Sequence, residues 1–278
     1  MDVWFTQHVG QPDHAQQDSL LVAGQVHQSR DLSVRSVPVD GADLLVAVAD
    51  GVSASPSAHL SSQLILKLLS AAIMDHHDWL DNGLIGGKLV KNISGIFRAK
   101  LARGRTWGAA TTLAVLHVRD GHASVTNCGD SRVYRIRHGK DGLAEWRQLT
   151  KDHTILAGMQ AKGIAKGINP SDCASIYKGL EHCIVADPEE SNVRVHTALI
   201  DVAPGDVFLL TSDGVHDVLG DEQLKALYDR RLDISAQVAI WREAVLAAGA
   251  FDNLTLAAIA YPPIDCTPPS EGEMASHG

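Results

Sequence analysis

Five aspartates stand at the ends or starts of short apolar runs, a sixth comes four residues beyond one of them, and carboxylates at such places suit a hard cation. Asp50 follows Leu44-Leu45-Val46-Ala47-Val48-Ala49 and precedes Gly51; Asp213 follows Val207-Phe208-Leu209-Leu210-Thr211 and precedes Gly214. Asp18, Asp130 and Asp252 lie at similar boundaries, and Asp217 comes four residues after Asp213. Mg2+ and Mn2+ choose oxygen ligands, and Mg2+ keeps several waters while taking only a few carboxylates, so five or six clustered aspartates suit two such ions. Without cations these groups would repel one another and raise each other's pKa. A glycine after the aspartate lets a ligand approach the backbone and frees its carbonyl to face a cation. One Asp-Gly reads as an ordinary turn; two that end strands point to convergence.

The elements that must position these groups follow from periodicity. Strands are expected over 3–6, 18–23 and 44–49, then helices over 57–74 and 88–102, where apolar residues recur at three- and four-residue steps. Gly108 introduces strands over 110–117, 123–127, 132–137 and 145–149, joined by Asp120-Gly121 and by the glycines at 139 and 142, which reads as one antiparallel meander. Further strands are expected over 193–201, 207–211 and 254–260, with helices over 221–228 and 235–248. Many hairpins and paired helices argue against a doubly wound parallel sheet. Two packed antiparallel sheets with helices on their outer faces, an α+β architecture, fit better.

The segment 153–188 is weakly patterned and interrupted by four glycines, the signature of a flap rather than of filler. The stretch 262–278, with four prolines among small and polar residues, reads as a disordered tail, leaving 1–261 as a single domain.

Whole-chain properties exclude several classes. A chain of 278 residues, 45% hydrophobic and 21% charged, can bury a full core, and it contains no apolar run near the ~18 residues of a membrane span. A net charge of −9 gives no long-range attraction to nucleic acid or to an anionic membrane. The opening Met1-Asp2-Val3-Trp4-Phe5 lacks a secretory pattern, so the expected location is the cytoplasm. Cys128, Cys173, Cys183 and Cys266 form no C-x-x-C pair and read as reduced thiols.

Taken in order, Gln17-Asp18, Val48-Ala49-Asp50-Gly51, Gly108 with Thr111-Thr112, Asn127-Cys128-Gly129-Asp130-Ser131-Arg132, Leu149-Thr150-Lys151-Asp152-His153, Thr211-Ser212-Asp213-Gly214-Val215-His216-Asp217 and Asp252-Asn253-Leu254-Thr255 resemble the motifs of the metal-dependent PP2C (PPM) serine/threonine phosphatases, especially the bacterial ones. The resemblance implies a four-layer α-β-β-α sandwich with two Mn2+ or Mg2+ ions in a cleft at one edge. Carried over by position, Asp50 would bridge the ions, Gly51 would offer its carbonyl, Asp213 and Asp252 would complete the centre, and Asp18 would hold one ion partly through water. Asp130 and Asp217, with Asp213, would match a third, weaker metal site. The implied reaction is direct attack of a metal-bridging water or hydroxide on phosphoserine or phosphothreonine in proteins, which presupposes a partner serine/threonine kinase.

The chain departs from that pattern at two places. The arginine that usually holds substrate phosphate, about five residues before the first ligand aspartate, is replaced by Asp13. His14 or Arg35 could substitute, His14 otherwise being a solvated loop residue. The histidine usually found shortly after the Asp-Gly step is absent, leaving His59, nine residues beyond Asp50, as the available acid candidate. These departures leave open a phosphoprotein-binding protein on the same fold, with weak or no catalysis, or a hydrolase of small phosphate esters. His216 reads as a packing or surface residue and Cys128 as a small core residue, while Trp4, Trp107, Trp146 and Trp241 read as core or edge fillers.

Overall fold

The computed structural model describes residues 1–40, 42–139, 143–168, 179–190 and 192–261. The expected tail 262–278 lies outside the described residues, as do Cys173, Cys266 and the middle of the expected flap.

Fourteen strands form among the described residues. Strands β1 (Asp2–His8), β2 (Asp18–Val22), β3 (Gln25–His27), β4 (Asp31–Pro38) and β5 (Asp43–Asp50) are followed by helices α1 (Ala58–Asp75) and α2 (Gly87–Leu101). Next come β6 (Ala110–Thr111), β7 (Leu113–Arg119), β8 (His122–Cys128), β9 (Arg132–His138), β10 (Ala144–Gln148), α3 (Ile155–Ala161), β11 (Ile184–Val185), β12 (His196–Asp201) and β13 (Val207–Thr211). Helices α4 (Asp213–Ala226) and α5 (Ile234–Ala247) precede the last strand, β14 (Leu254–Ala260).

Two six-stranded antiparallel sheets face each other, ordered β10-β9-β13-β14-β1-β4 and β12-β8-β7-β5-β2-β3, with β11 and β6 forming a separate short pair. Between them lies one apolar layer built from inward-facing residues such as Val3, Phe5, Leu20, Val48, Leu116, Val125, Phe208 and Ile259. Helices α1 and α2 cover the second sheet through Ile65, Leu69, Leu89, Ile93 and Phe97. Helices α4 and α5 cover the first through Val215, Leu224, Val238 and Trp241, the last fully buried with its Nε1 donating to the Leu224 carbonyl at 3.1 Å. A sheet covered on both faces reads as a continuous apolar run, which explains why β2, β5 and β13 were visible as such. The α-β-β-α sandwich expected from the sequence is therefore the fold observed.

Three details differ from expectation. The strands over 110–149 do not form one meander: β7 and β8 pair in one sheet, while β9 and β10 pair in the other, where β9 lies against β13. The chain crosses between sheets at Gly129, whose φ of 100° only glycine adopts readily. The helix expected from about 221 does begin there, after Gly220 at φ 70°, ψ 160°, but a further helical stretch from Asp213 precedes that break, the two together forming α4. Trp107 is 55% exposed and fills no core position.

Among the described residues no helix is long and apolar enough to cross a membrane. Cys128 is buried in the helix-covered layer, and it and Cys183 are free thiols.

Candidate metal centre

Asp18 opens β2 and Asp50 closes β5, and the two are directly opposed in the antiparallel register, which brings their Cα atoms to about 5 Å. Asp18 is wholly buried. Its Oδ2 accepts a hydrogen bond from Ser212 Oγ at 2.7 Å, and its Oδ1 has no partner. Ser212 belongs to the other sheet, at the end of β13, and the same Oγ accepts from the Thr255 backbone N–H of β14 at 3.0 Å. One hydroxyl thus ties three strand ends together across the sandwich.

Asp213, the first residue of α4, has a second orphaned oxygen, Oδ1. A carboxylate at a helix N-terminus is favoured by the backbone dipoles there. Asp217 follows one turn later on the exposed part of the same helix. Asp252 accepts from the Asn253 N–H at 2.7 Å, and Asn253 clamps that loop to the start of β2. Its Oδ1 accepts from Gln17 N at 2.6 Å, and its Nδ2 donates to the Val9 carbonyl at 2.8 Å. Asp130 sits in the crossing turn, held by Thr112, whose Oγ1 lies 2.7 Å from Ser131 Oγ and 2.9 Å from the Asp50 N–H it accepts.

The electrostatics make these residues one cluster. Burial pushes Asp18 up to about 8; the Ser212 hydroxyl opposes the shift, and Asp213 and Asp252 add to it. Asp213 is raised to about 6, first by burial and then by Asp252. Burial raises Asp50 and Asp130 well above the carboxylate range, with Asp213 the next cause in each case, and Asp217 contributes to the rise of Asp130. All six aspartates picked out by sequence are brought together.

The donor set suits hard divalent cations: carboxylates that run from wholly buried Asp18 to exposed Asp217, two of their oxygens lacking any hydrogen bond, with no soft ligand among them. Among the described residues no three His, Cys, Asp or Glu side chains are grouped so that they could hold a metal ion as they stand. The chemistry of the donors, all of them oxygens, suits a hard divalent cation, and holding one would need these side chains to draw together.

Both Asp-Gly steps need their glycines for a reason the sequence did not expose. A Cβ on Gly51 would lie 2.1 Å from the carbonyl oxygen of Ala58 at the start of α1, and one on Gly214 would lie 1.9 Å from that of Asn253. The space left open is taken by neighbouring backbone, not by room for an ion. Gly51→Ala is expected to push α1 off the end of β5 and lower stability by about 1–3 kcal/mol, read as a lower urea midpoint at unchanged slope.

The remaining candidates fall at the rim. His14 lines an open cavity of about 250 Å3 with Gln17, Ser53, Phe251 and Asp252, beside the cluster. His59 lies exposed in the first turn of α1, where its backbone carbonyl accepts from Gln28. Asp13 is exposed, and the arginine that reaches this loop is Arg30, whose guanidinium is spent on the carbonyls of Pro12 and His14. Arg35 lies on β4 opposite Phe5, within the field of His27. His216 is buried, its Nδ1 2.9 Å from Thr211 Oγ1, in keeping with a packing role.

Sequence reasoning assigned no role to Arg132 and Asp152. Arg132 is 12% exposed and forks onto Asp152, with Nε 3.1 Å from Oδ1 and Nη2 2.5 Å from Oδ2, while Nη1 reaches Asp221 and the Tyr134 hydroxyl. Asp152 lines a small cavity together with Asp130 and Asp217. Its signal was the one that marked the others, a carboxylate just beyond a strand.

The sequence model of the family described as protein phosphatase 2C matches residues 23–248. That span takes in Asp50, Asp130, Asp213 and Asp217, whereas Asp18 and Asp252 lie outside it and join the cluster by geometry. The serine/threonine protein phosphatase PstP of Mycobacterium tuberculosis is 28% identical over 221 residues, 76% of this chain and 39% of PstP, so the chain spans well under half of that relative. The serine/threonine phosphatase stp of Listeria monocytogenes is 23% identical over 216 residues, 76% of this chain and 82% of stp. Among solved structures, the PPM Ser-Thr phosphatase MsPP of Mycobacterium smegmatis, in complex with cacodylate, superposes with a TM-score of 0.70 at 25% identity, covering 92% of this chain and 97% of MsPP. Sharing that sandwich, and matched by the family's sequence model over most of its length, the chain belongs to the protein phosphatase 2C family.

Proposed function

We propose that this chain is a metal-dependent protein serine/threonine phosphatase, working in the cytoplasm on phosphoproteins made by a serine/threonine kinase. The observation that carries the reading is the electrostatic coupling of Asp18, Asp50, Asp130, Asp213, Asp217 and Asp252, brought from strand ends of both sheets and from the start of α4, with two carboxylate oxygens orphaned. The names of the relatives, phosphatases acting on serine and threonine, support the same activity.

In this reading Asp50, Asp213, Asp252 and Asp18, with the Gly51 carbonyl, would hold two Mg2+ or Mn2+ ions, and Asp130 and Asp217 with Asp213 would hold a third. Bound there, such ions supply an ionised water as nucleophile and neutralise charge on the phosphoryl oxygens. Ser212 fixes the Asp18 carboxylate by donating to Oδ2, which leaves Oδ1 to face the centre. Asn253 holds the Asp252 loop against β2. His14 faces the rim cavity that adjoins Asp252, where it can meet substrate phosphate in place of the missing arginine. His59 is the residue of α1 offered as proton donor to the leaving alcohol.

The test is phosphate release from phosphothreonine peptides by chelator-treated protein before and after Mn2+ or Mg2+ is restored, with p-nitrophenyl phosphate alongside. Release from peptides only with metal is the expected result. Turnover of the small ester without the peptides would replace the protein-phosphatase reading by that of a small-ester hydrolase. No turnover of either by folded, metal-loaded protein would leave phosphoprotein binding in its place.

A further inference from the structure

A cavity of about 650 Å3 opens beside α3, between the segment 148–153 and the start of β12, and its lining includes Lys151, Asp152, His153, Glu181, Arg194 and His196. A second, of about 440 Å3, continues it past Arg194 and Val195 to His182 and to Lys91 on α2. Asp152 also lines the small cavity that holds Asp130 and Asp217, so this trough runs out from the edge of the carboxylate cluster.

Its charge is unlike that of the rest of the chain. The two carboxylates in it are already engaged: Asp152 is forked by Arg132, and Glu181 lies 3.9 Å from Lys162. The cations are not. Among the described residues Lys91 and Lys151 make no ion pair, and Arg194 has as its only hydrogen-bond partner the His182 ring nitrogen, 3.0 Å from Nη1. His153, in the wall, is held down to about 4 by burial and then by the fields of His182, Arg194 and His196. Three cations without a carboxylate partner among the described residues, lining two joined cavities in a protein with net charge −9, are stabilised by an anion lying among them.

We propose that this trough binds the acidic flank of the polypeptide substrate, with Arg194 and Lys151 pairing its carboxylate or phosphate groups and Lys91 the groups beyond. The length favours a peptide over a small anion: two joined cavities exceed what one phosphate fills, and an extended chain covers about 3.3 Å per residue. This inference rests on the phosphatase reading for its link to turnover, but not for the binding itself.

Two measurements keep the readings apart. The first is calorimetric binding of an unphosphorylated peptide rich in aspartate and glutamate, against a neutral peptide of equal length and inorganic phosphate, to the full chain and to the Arg194→Ala/Lys151→Ala variant. The second is the ratio of kcat/KM for phosphothreonine peptides with acidic and with neutral flanks. Two exposed ion pairs support a preference of about tenfold for the acidic flank, expressed in KM and eroded by salt. The ratio is expected to fall to near one in the double variant, and binding of the acidic peptide to fall with it. Because both side chains are exposed, the variant retains its fold. Binding of the acidic peptide without any turnover would uphold the trough and overturn the enzyme reading. Turnover with no preference for either flank, a preference that survives the double variant, or binding of inorganic phosphate with no gain from the peptide would overturn the trough.

Discussion

Asp213→Asn is expected to lower metal-dependent phosphate release by more than about 100-fold while leaving the metal-free protein at least as stable as before. The loss follows from position. Asp213 is the carboxylate through which the others are coupled: it raises Asp50, Asp130 and Asp18, and it carries one of the two orphaned oxygens. Groups that only orient a metal ligand cost 10–100-fold when removed, so a ligand shared between sites costs more. The retained stability follows from the same crowding. Replacing one of several mutually repelling carboxylates by an amide of equal size removes repulsion and leaves no cavity, and the helix start it occupies tolerates Asn well. Phosphate release and a thermal melt, each with and without Mn2+, check both halves. A variant that loses activity because it has unfolded, or one that keeps its activity, would remove Asp213 from the centre.

Sequence made the candidate centre legible because each proposed ligand but Asp217 sits at a boundary between an apolar run and a polar break, and such boundaries are local. Asp50 and Asp213 could be found in this way from a dozen neighbouring residues. What holds them could not. Ser212 Oγ serves Asp18, 194 residues away in sequence, and Asn253 serves Gln17 across 236, and no local pattern marks a hydroxyl or an amide for such a partner. The same limit explains the misread meander, since β8 and β9 have the spacing of a hairpin and only the packing of two sheets sends β9 to pair with β13. Strands β3 and β4 were missed because they lie at the sheet edges, where half-exposed residues blur the alternation. The expected helix start at 221 coincides with a real break, Gly220 at φ 70°, and what the pattern missed is the short helical stretch before it, whose first two turns carry Asp213 and Asp217.

The metal-free protein is expected to lose stability as pH rises from about 6.5 to 8, and Mg2+ to remove that loss. Asp18, wholly buried, is held near 8 in the folded chain against 3.8 for an ordinary carboxyl. Between those values the folded state keeps a proton that the unfolded state has released, so each rise in pH favours unfolding, by about 1.4 kcal/mol per unit for one such group. Asp213 adds to the slope only up to about 6. His153, lowered to about 4, and His216, held well below 6.5, act in the opposite sense: the unfolded chain binds their protons more readily, so they stabilise as pH climbs towards 6.5. At pH 6.5 the unfolded-state imidazoles are still half protonated, so the opposition of both histidines fades over the next unit and the carboxylates act almost unopposed only from about pH 7.5. Between pH 6.5 and 8 Asp18 by itself accounts for about 2 kcal/mol, from which the fading opposition of the two histidines takes up to about 1 kcal/mol, leaving roughly 2–4 °C in Tm for a domain of this size. A bound cation reverses the sign, because it needs the ionised carboxylates that the metal-free fold disfavours, and its stabilisation grows as they deprotonate. Asp18→Asn should flatten the metal-free slope between pH 6.5 and 8. Melting temperatures across that range in chelator and in Mg2+ measure it directly, and a metal-free Tm that stays level, or two slopes that coincide, would mean that the carboxylates are not the stored electrostatic cost which cation binding releases.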